Sequence, residues 1–282
     1  AVLCMLMLFV LSASVISAQD TFLGLTSNGG PEGRGTAFSI RSTGANFAVT
    51  KGFADWGKTP NGDLIQGSDG DFYGMTYTGG TYTYGSIFKM TLAGVITILH
   101  QFNYAADGAN PYGELTKGTD GNFYGMTSSG GTNSYGTIFK ITPGGVFTVL
   151  KQLVSADGTN PRGHLVLAPD GNFYGASYAG GAFGSGTIFK VTAAGALTVL
   201  HSLSSATDGA NCYGSLVRGT DGLFYGTTNG GGSSGMGTIF KITSAGAYTV
   251  LHTMLTADGV HSQSDLIQAT DGDFYGVAYG GG

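Results

Sequence analysis

Charge is what this sequence has least of. Asp, Glu, Lys and Arg make up 10% of its 282 residues, against roughly a quarter in ordinary soluble domains. The 12 Lys and Arg are scattered and the formal net charge is −5, so the basic footprint that nucleic acid demands is missing. Prolines number 6 and the glycines have no three-residue period, which excludes a collagen-like chain. With 2 cysteines, one of them in an N-terminal apolar run, a disulfide framework is excluded as well. No stretch long enough for a helix repeats its apolar residues at helical spacing. What remains is a turn-rich all-β protein held by packing and backbone ladders.

The abundant residues fit that reading. Glycine occurs 52 times and hydrophobic residues make 41% of the chain, enough for a substantial core. The stretch "DGNFYGMTSSGGTNSYGTIFKIT", Asp120 to Thr142, has close copies beginning at Asp69, Asp170 and Asp221. A degenerate copy opens at Phe22 and a shorter one, "DGDFYGVAYGGG", closes the sequence. The aromatic at the head of each copy falls at Phe22, Phe72, Phe123, Phe173, Phe224 and Phe274, so the spacings are 50, 51, 50, 51 and 50. A fixed period of this size means a repeat architecture.

Each period reads as four short strands. In the third copy these are "GELTKG", a Thr119-Asp120-Gly121 turn, "NFYGMTSS", a Gly130-Gly131 loop, "GTIFKIT", a "PGG" turn and "VFTVLKQL". Both alternation classes of "TIFKIT" are apolar or amphipathic, so each sheet needs a neighbour on both faces. Radial stacking supplies them, and the expected fold is a β-propeller of four-stranded antiparallel blades. Phe-Tyr is expected to pack between blades, and the Lys of "IFK" to lay its stem on apolar surface. The first unit lacks its first strand, units two to five are complete, and the sixth stops after its second strand. About five blades and a truncated sixth, an incomplete or open ring, are therefore expected over residues 19–282.

Residues 1–18, "AVLCMLMLFVLSASVISA", read as the apolar core and cleavage site of a secretory signal without its basic start. Removal would leave Cys212 alone, in the place held by Pro111 and Pro161 in the neighbouring copies, as a small apolar substitute. The expected location is secreted, extracellular or at the cell surface. The membrane is expected to be met only through this segment or through a C-terminal anchor beyond the sequence.

The repeated pattern, Leu-x-x-Gly-x-Asp-Gly-x-Phe-Tyr-Gly-x-Thr through Gly-Gly to Gly-x-Ile-Phe-Lys-x-Thr, resembles the GloVer-type extracellular tandem repeat of bacterial secreted and surface proteins. The likeness runs from about Phe22 to Gly282. It implies export and a repeat β-fold, with a C-terminal sorting or anchoring domain elsewhere in such proteins; it brings no activity and no catalytic residues. A kelch propeller has a similar unit length, but it wants a Trp after each Gly-Gly, and Trp56 is the only Trp.

Positions that stay constant build the fold, so positions that change at a fixed place are the site candidates. The residue before the first-strand Leu is Asp63, Glu114, His164, Ser215 or Asp265, and two residues earlier stand Asn61, Tyr112, Arg162, Tyr213 or Gln263. The first strand of a blade is innermost, so these side chains should ring one mouth of the central channel. The loops between strands two and three, carrying Tyr82, Tyr84, Tyr135, Phe183 and Met236, should open on the same face. Candidate ligand-binding residues are thus Asp63, Glu114, His164, Asp265, Tyr112, Arg162, Tyr213, Tyr82 and Tyr135, where aromatic faces stack on sugar or peptide and carboxylates orient polar groups.

No catalytic residue, cofactor or metal site is expected. Gly231-Gly232-Ser233-Ser234-Gly235 fits a nucleophile-elbow pattern, but no helix follows. The "DG(A/T)N" segments lack the acidic spacing of a calcium loop. His164 has no obvious nucleophile partner, which argues against a Ser-His-Asp site. His100, His201 and His252, in "VLH" of the fourth strand, read as exposed edge devices. The leading reading is a monomeric, non-catalytic binding or adhesion scaffold for extracellular polysaccharide or a surface protein. The alternatives are a polysaccharide-active enzyme, which requires Asp63, Glu114, His164 and Asp265 to converge on one point, and a structural spacer.

Overall fold

The structure, a computed structural model, describes residues 21–41, 47–54 and 56–282; the expected signal segment 1–18 lies outside them. The fold is a β-propeller. Four successive blades are complete antiparallel meanders: Ile65–Gln66, Phe72–Thr76, Ser86–Met90 and Ile96–Gln101; Thr116–Lys117, Phe123–Thr127, Thr137–Ile141 and Phe147–Gln152; Val166–Leu167, Phe173–Ala176, Thr187–Val191 and Leu197–Ser202; Val217–Arg218, Phe224–Thr227, Thr238–Ile242 and Tyr248–Thr253. They are the second to fifth blades. The first has three strands, Thr21–Thr26, Thr36–Arg41 and Ala48–Gly52. The sixth pairs Ile267–Gln268 with Phe274–Tyr275, and Val260–Ser262 with Ala278–Gly280. First strands are shorter than the sequence pattern suggests, two paired residues in each complete blade.

No blade has a core of its own. One buried cluster joins Tyr73, Met75, Ile87 and Phe102 of the second blade to Leu115, Phe123, Phe139 and Ile141 of the third. The next joins Tyr124, Met126, Ile138 and Leu153 of the third to Leu165, Phe173, Phe189 and Val191 of the fourth. Strand alternation explains the division: within one Phe-Tyr dipeptide, Phe123 faces back and Tyr124 faces forward. Each Tyr ring lies on the Phe of the following blade, with centroids at 4.2 Å for Tyr73–Phe123, 4.2 Å for Tyr124–Phe173 and 4.1 Å for Tyr174–Phe224.

The Asp-Gly turn supports this zipper. The Tyr73 hydroxyl donates to Asp69 at 2.7 Å, and Tyr124 and Tyr174 do the same to Asp120 and Asp170. Lys89 pairs with Asp69 at 2.8 Å and Asp71 at 2.7 Å; its hydrogen bond, then that of Tyr73, holds the Asp69 carboxyl down to about 2. The glycine after Phe-Tyr is a packing requirement. Gly125 pairs with Phe139 across the ladder, and a Cβ there would stand 2.5 Å from the ring's Cζ.

On the outer strands the expectation for histidine needs correcting. His100 stacks flat on Phe147 of the next blade, 3.8 Å between centroids at 1°, and lies 2.9 Å from Asp107. His201 stacks on Tyr248 at 4.3 Å and pairs with Asp208 at 2.9 Å. These rings are inter-blade contacts. His252 also pairs with Asp258, at 2.8 Å, but is 50% exposed, nearest of the three to the exposed edge that was expected. Cys212 is buried and its thiol is pushed up to about 12 by that burial, as suits a small apolar filler.

Candidate functional site

The segments that lead into the first strands approach one another because each carries a glycine three residues before its strand. A Cβ on Gly62 would lie 2.6 Å from the carbonyl oxygen of Gly113 and 2.8 Å from Cα of Glu114. One on Gly113 would meet the backbone of Gly163 and His164, and one on Gly163 would sit 2.8 Å from Cα of Ser215. Gly214 abuts Ser264 and Asp265 in the same way. Any side chain at these points would force the blades apart. With glycine there, the following residue of each blade is carried against its counterparts.

The result is a polar tier drawn from different blades. His164 Nδ1 is 2.7 Å from Ser215 Oγ, 3.4 Å from Glu114 Oε1 and 3.6 Å from Asp265 Oδ2. The His164 backbone N–H donates to Ser215 Oγ at 2.8 Å, and the Ser215 N–H donates to Asp265 Oδ1 at 2.5 Å. Asp63 is exposed by surface area, yet the crowd of protein atoms around it raises its carboxyl; His164 opposes that rise and Asp265 adds to it. Burial likewise raises Glu114, against the pull of His164 and with further upward pressure from Asp63 and Asp265. The tier holds more negative charge than His164 can offset.

Ser215 corrects the expectation that His164 has no hydroxyl partner. The arrangement is still not a relay, which needs nucleophile and carboxylate on opposite ring nitrogens; here serine and both carboxylates crowd Nδ1. Ser215 Oγ accepts from the His164 backbone N–H, which leaves its own hydroxyl proton available as a donor.

An aromatic tier accompanies the polar one. The Tyr112 and Tyr213 hydroxyls are 2.6 Å apart, linking the third and fifth blades, and their rings meet edge to face at 5.5 Å. Burial, then the bond to Tyr213, pushes the Tyr112 phenol up to about 12. Between these blades, the Arg162 guanidinium lies 3.9 Å from the Tyr178 ring centre and 4.6 Å from that of Tyr213. Tyr77 packs on Tyr112 at 5.6 Å and Tyr178 on Tyr213 at 6.2 Å. The "DG(A/T)N" connection sets this spacing. Asn110 and Asn211 hold positive φ, 56° and 63°, and their side-chain amides donate to the carbonyls of Tyr77 and Tyr178 at 3.0 and 2.9 Å.

Tyr77 and Tyr178 escaped the sequence reading, although their position varies as Tyr77, Ser128, Tyr178, Asn229 and Tyr279, the very signal used elsewhere. Asp63, Glu114, His164, Asp265, Tyr112, Arg162 and Tyr213 fall in the two tiers. Tyr82 and Tyr135 do not join them. Thr81 N–H donates to the Gln101 side chain and Thr132 N–H to Gln152, which ties both loop tips over the outer strand of their own blade. The two tyrosines stay 50% and 40% exposed there.

Among the described residues no group of three or more His, Cys, Asp or Glu is arranged to hold a metal, and no helix is long and apolar enough to cross a membrane.

The Gloeobacter/Verrucomicrobia repeat profile matches residues 10–169 and 117–282. No curated protein matches the chain. Among solved structures, the nidogen/laminin complex contains a chain 15% identical, with TM-score 0.57, over 92% of this chain and 86% of that one. The periplasmic gluconolactonase of Pseudomonas aeruginosa is 18% identical, TM-score 0.55, over 89% and 74%. A gluconolactonase of Xanthomonas campestris is 11% identical, TM-score 0.51, over 86% and 75%. At such identities the likeness is one of fold.

Proposed function

This chain belongs to the Gloeobacter/Verrucomicrobia repeat family, and from that premise we propose that it is an exported, non-catalytic propeller that recognises carbohydrate at its axial mouth. One observation carries the reading. Tyr77, Tyr112, Tyr178 and Tyr213 gather flat apolar faces beside Asp63, Glu114, His164 and Asp265, the pairing of stacking surface and hydroxyl-orienting groups that sugars require. Nothing in the constant framework needs those residues, since the blades are already joined by the Phe-Tyr zipper. Extracellular polysaccharide or a glycosylated surface protein is the partner class, and export is suggested by the apolar residues 1–18.

Glycan-array binding followed by calorimetry tests this. Tyr112→Ala and Tyr213→Ala are each expected to weaken the captured glycan at least tenfold, as for central aromatic anchors in general. Wild-type affinity in both would remove the face.

A second reading rests on a separate observation: a carboxyl raised by burial, Glu114, stands 3.4 Å from a histidine, a pairing suited to proton transfer. With two gluconolactonases among the similar folds, the reaction to assay is hydrolysis of a sugar lactone. Glu114→Gln would abolish acceleration under this reading; under the first, the wild-type protein shows none above the spontaneous rate.

A further inference from the structure

We infer that the sugar recognised at this mouth is acidic and that Arg162 receives its carboxylate. The inference rests on the carbohydrate reading and narrows it to a chemical class. At the corresponding position the other blades carry Asn61, Tyr112, Tyr213 and Gln263, so one cation stands in a ring otherwise neutral. Its guanidinium carbon lies 3.9 Å from the Tyr178 ring centre and 4.6 Å from that of Tyr213, two rings set at 84° to each other. Contact with a ring engages the π-face of the aromatic and consumes none of the five N–H donors, which lie in the guanidinium plane at its edge.

The guanidinium has no hydrogen-bond or ion-pair partner among the described residues. Three other cations are paired: Lys89 takes Asp69 and Asp71, Lys151 takes Asp157 at 3.0 Å, and Arg34 takes Glu32 at 2.9 Å. The guanidinium is thus held against the two tyrosine rings with its fork of donors unspent. Such a fork matches a carboxylate through two parallel hydrogen bonds.

The neighbouring tier selects what else the ligand carries. Asp63, Glu114 and Asp265 repel a bare anion but accept hydrogen bonds from hydroxyls. A molecule that satisfies both is polyhydroxylated with its negative charge confined to one end, which describes a uronate residue of a polysaccharide. The Tyr faces then cover the ring between its two polar ends.

The experiment uses the whole chain and uronate-containing oligosaccharides, each paired with its carboxyl-reduced, neutral counterpart. Calorimetry on wild type is expected to favour the acidic member at least tenfold. Arg162→Gln lowers affinity for the acidic member at least tenfold more than for the neutral one, and Arg162→Lys, which keeps the charge but loses the planar fork, falls between. An unchanged melting temperature separates these effects from unfolding. Equal affinity of wild type for both members, or a preference that survives Arg162→Gln, overturns the acidic-sugar inference while leaving carbohydrate binding standing. Binding of neither member, across the array as well, overturns both.

Discussion

The Phe-Tyr zipper and the axial mouth are built by the same repeats, yet they use repetition in opposite ways. In the zipper one contact is copied from blade to blade: an Asp-held Tyr on the next blade's Phe, always 4.1 or 4.2 Å apart. At the mouth five equivalent positions hold Asp63, Glu114, His164, Ser215 and Asp265, and these touch one another. A copied contact contributes stability and no information. A position that differs in each copy, gathered at one place, makes an asymmetric site from a symmetric frame.

That contrast can be broken at its strongest point first. Phe173 is 1% exposed and lies on Tyr124, so Phe173→Ala should cost about 3–5 kcal/mol in urea unfolding and leave the residual protein unaltered at the mouth. The glycine line comes next. In Gly163→Ala the new Cβ meets Gly214 backbone at 2.9 Å and Ser215 Cα at 2.8 Å, and neither can rotate away. A loss of about 1–3 kcal/mol is expected, accompanied by weakened ligand binding that Phe173→Ala does not show.

Smaller effects sharpen the distinction. Tyr112→Phe removes the 2.6 Å hydroxyl contact and should cost about 1 kcal/mol. A double-mutant cycle with Tyr213→Phe should show strong coupling, while one with Tyr124→Phe shows none. Glu114→Gln should go the other way. The folded carboxyl is raised by burial, so the native state binds its proton more tightly than the unfolded chain. The stability this confers is present below the ordinary carboxylate range and is lost as pH rises through the raised value. Glutamine never ionises, so the variant should melt about 2–4 °C higher at pH 7, the shift of roughly 1 kcal/mol in a chain of this size. The gain should vanish near pH 4. A site residue whose removal stabilises the fold is one kept for function.

Much of this was legible in the sequence, because a propeller converts chain position into radius. Once the period was counted, Phe-Tyr belonged between blades, and the residue before the first-strand Leu belonged at the axis. What stayed hidden depends on which atoms face one another across blades. Strand alternation gives two faces but not the partner on each, so His100 read as an edge although Phe147 covers it. Ser215 and His164 are separated by a whole repeat, and nothing local announces their 2.7 Å contact. Tyr77 and Tyr178 sit at the end of a second strand, and only the amides of Asn110 and Asn211 turn that end toward the next blade's mouth. Tyr82 and Tyr135 looked like binding loops because the Gln101 and Gln152 side-chain oxygens, which accept from Thr81 and Thr132 N–H and draw the tips outward, stand on a different strand.

The most direct test is a carboxyl titration of Glu114, followed by NMR on the labelled side chain, in wild type and in Asp265→Asn. The two residues lie three repeats apart in sequence, and they interact only if the first strands converge. Removing the Asp265 charge is predicted to lower the Glu114 midpoint toward the ordinary carboxylate value. A midpoint indifferent to Asp265 would contradict the convergence, and with it the site.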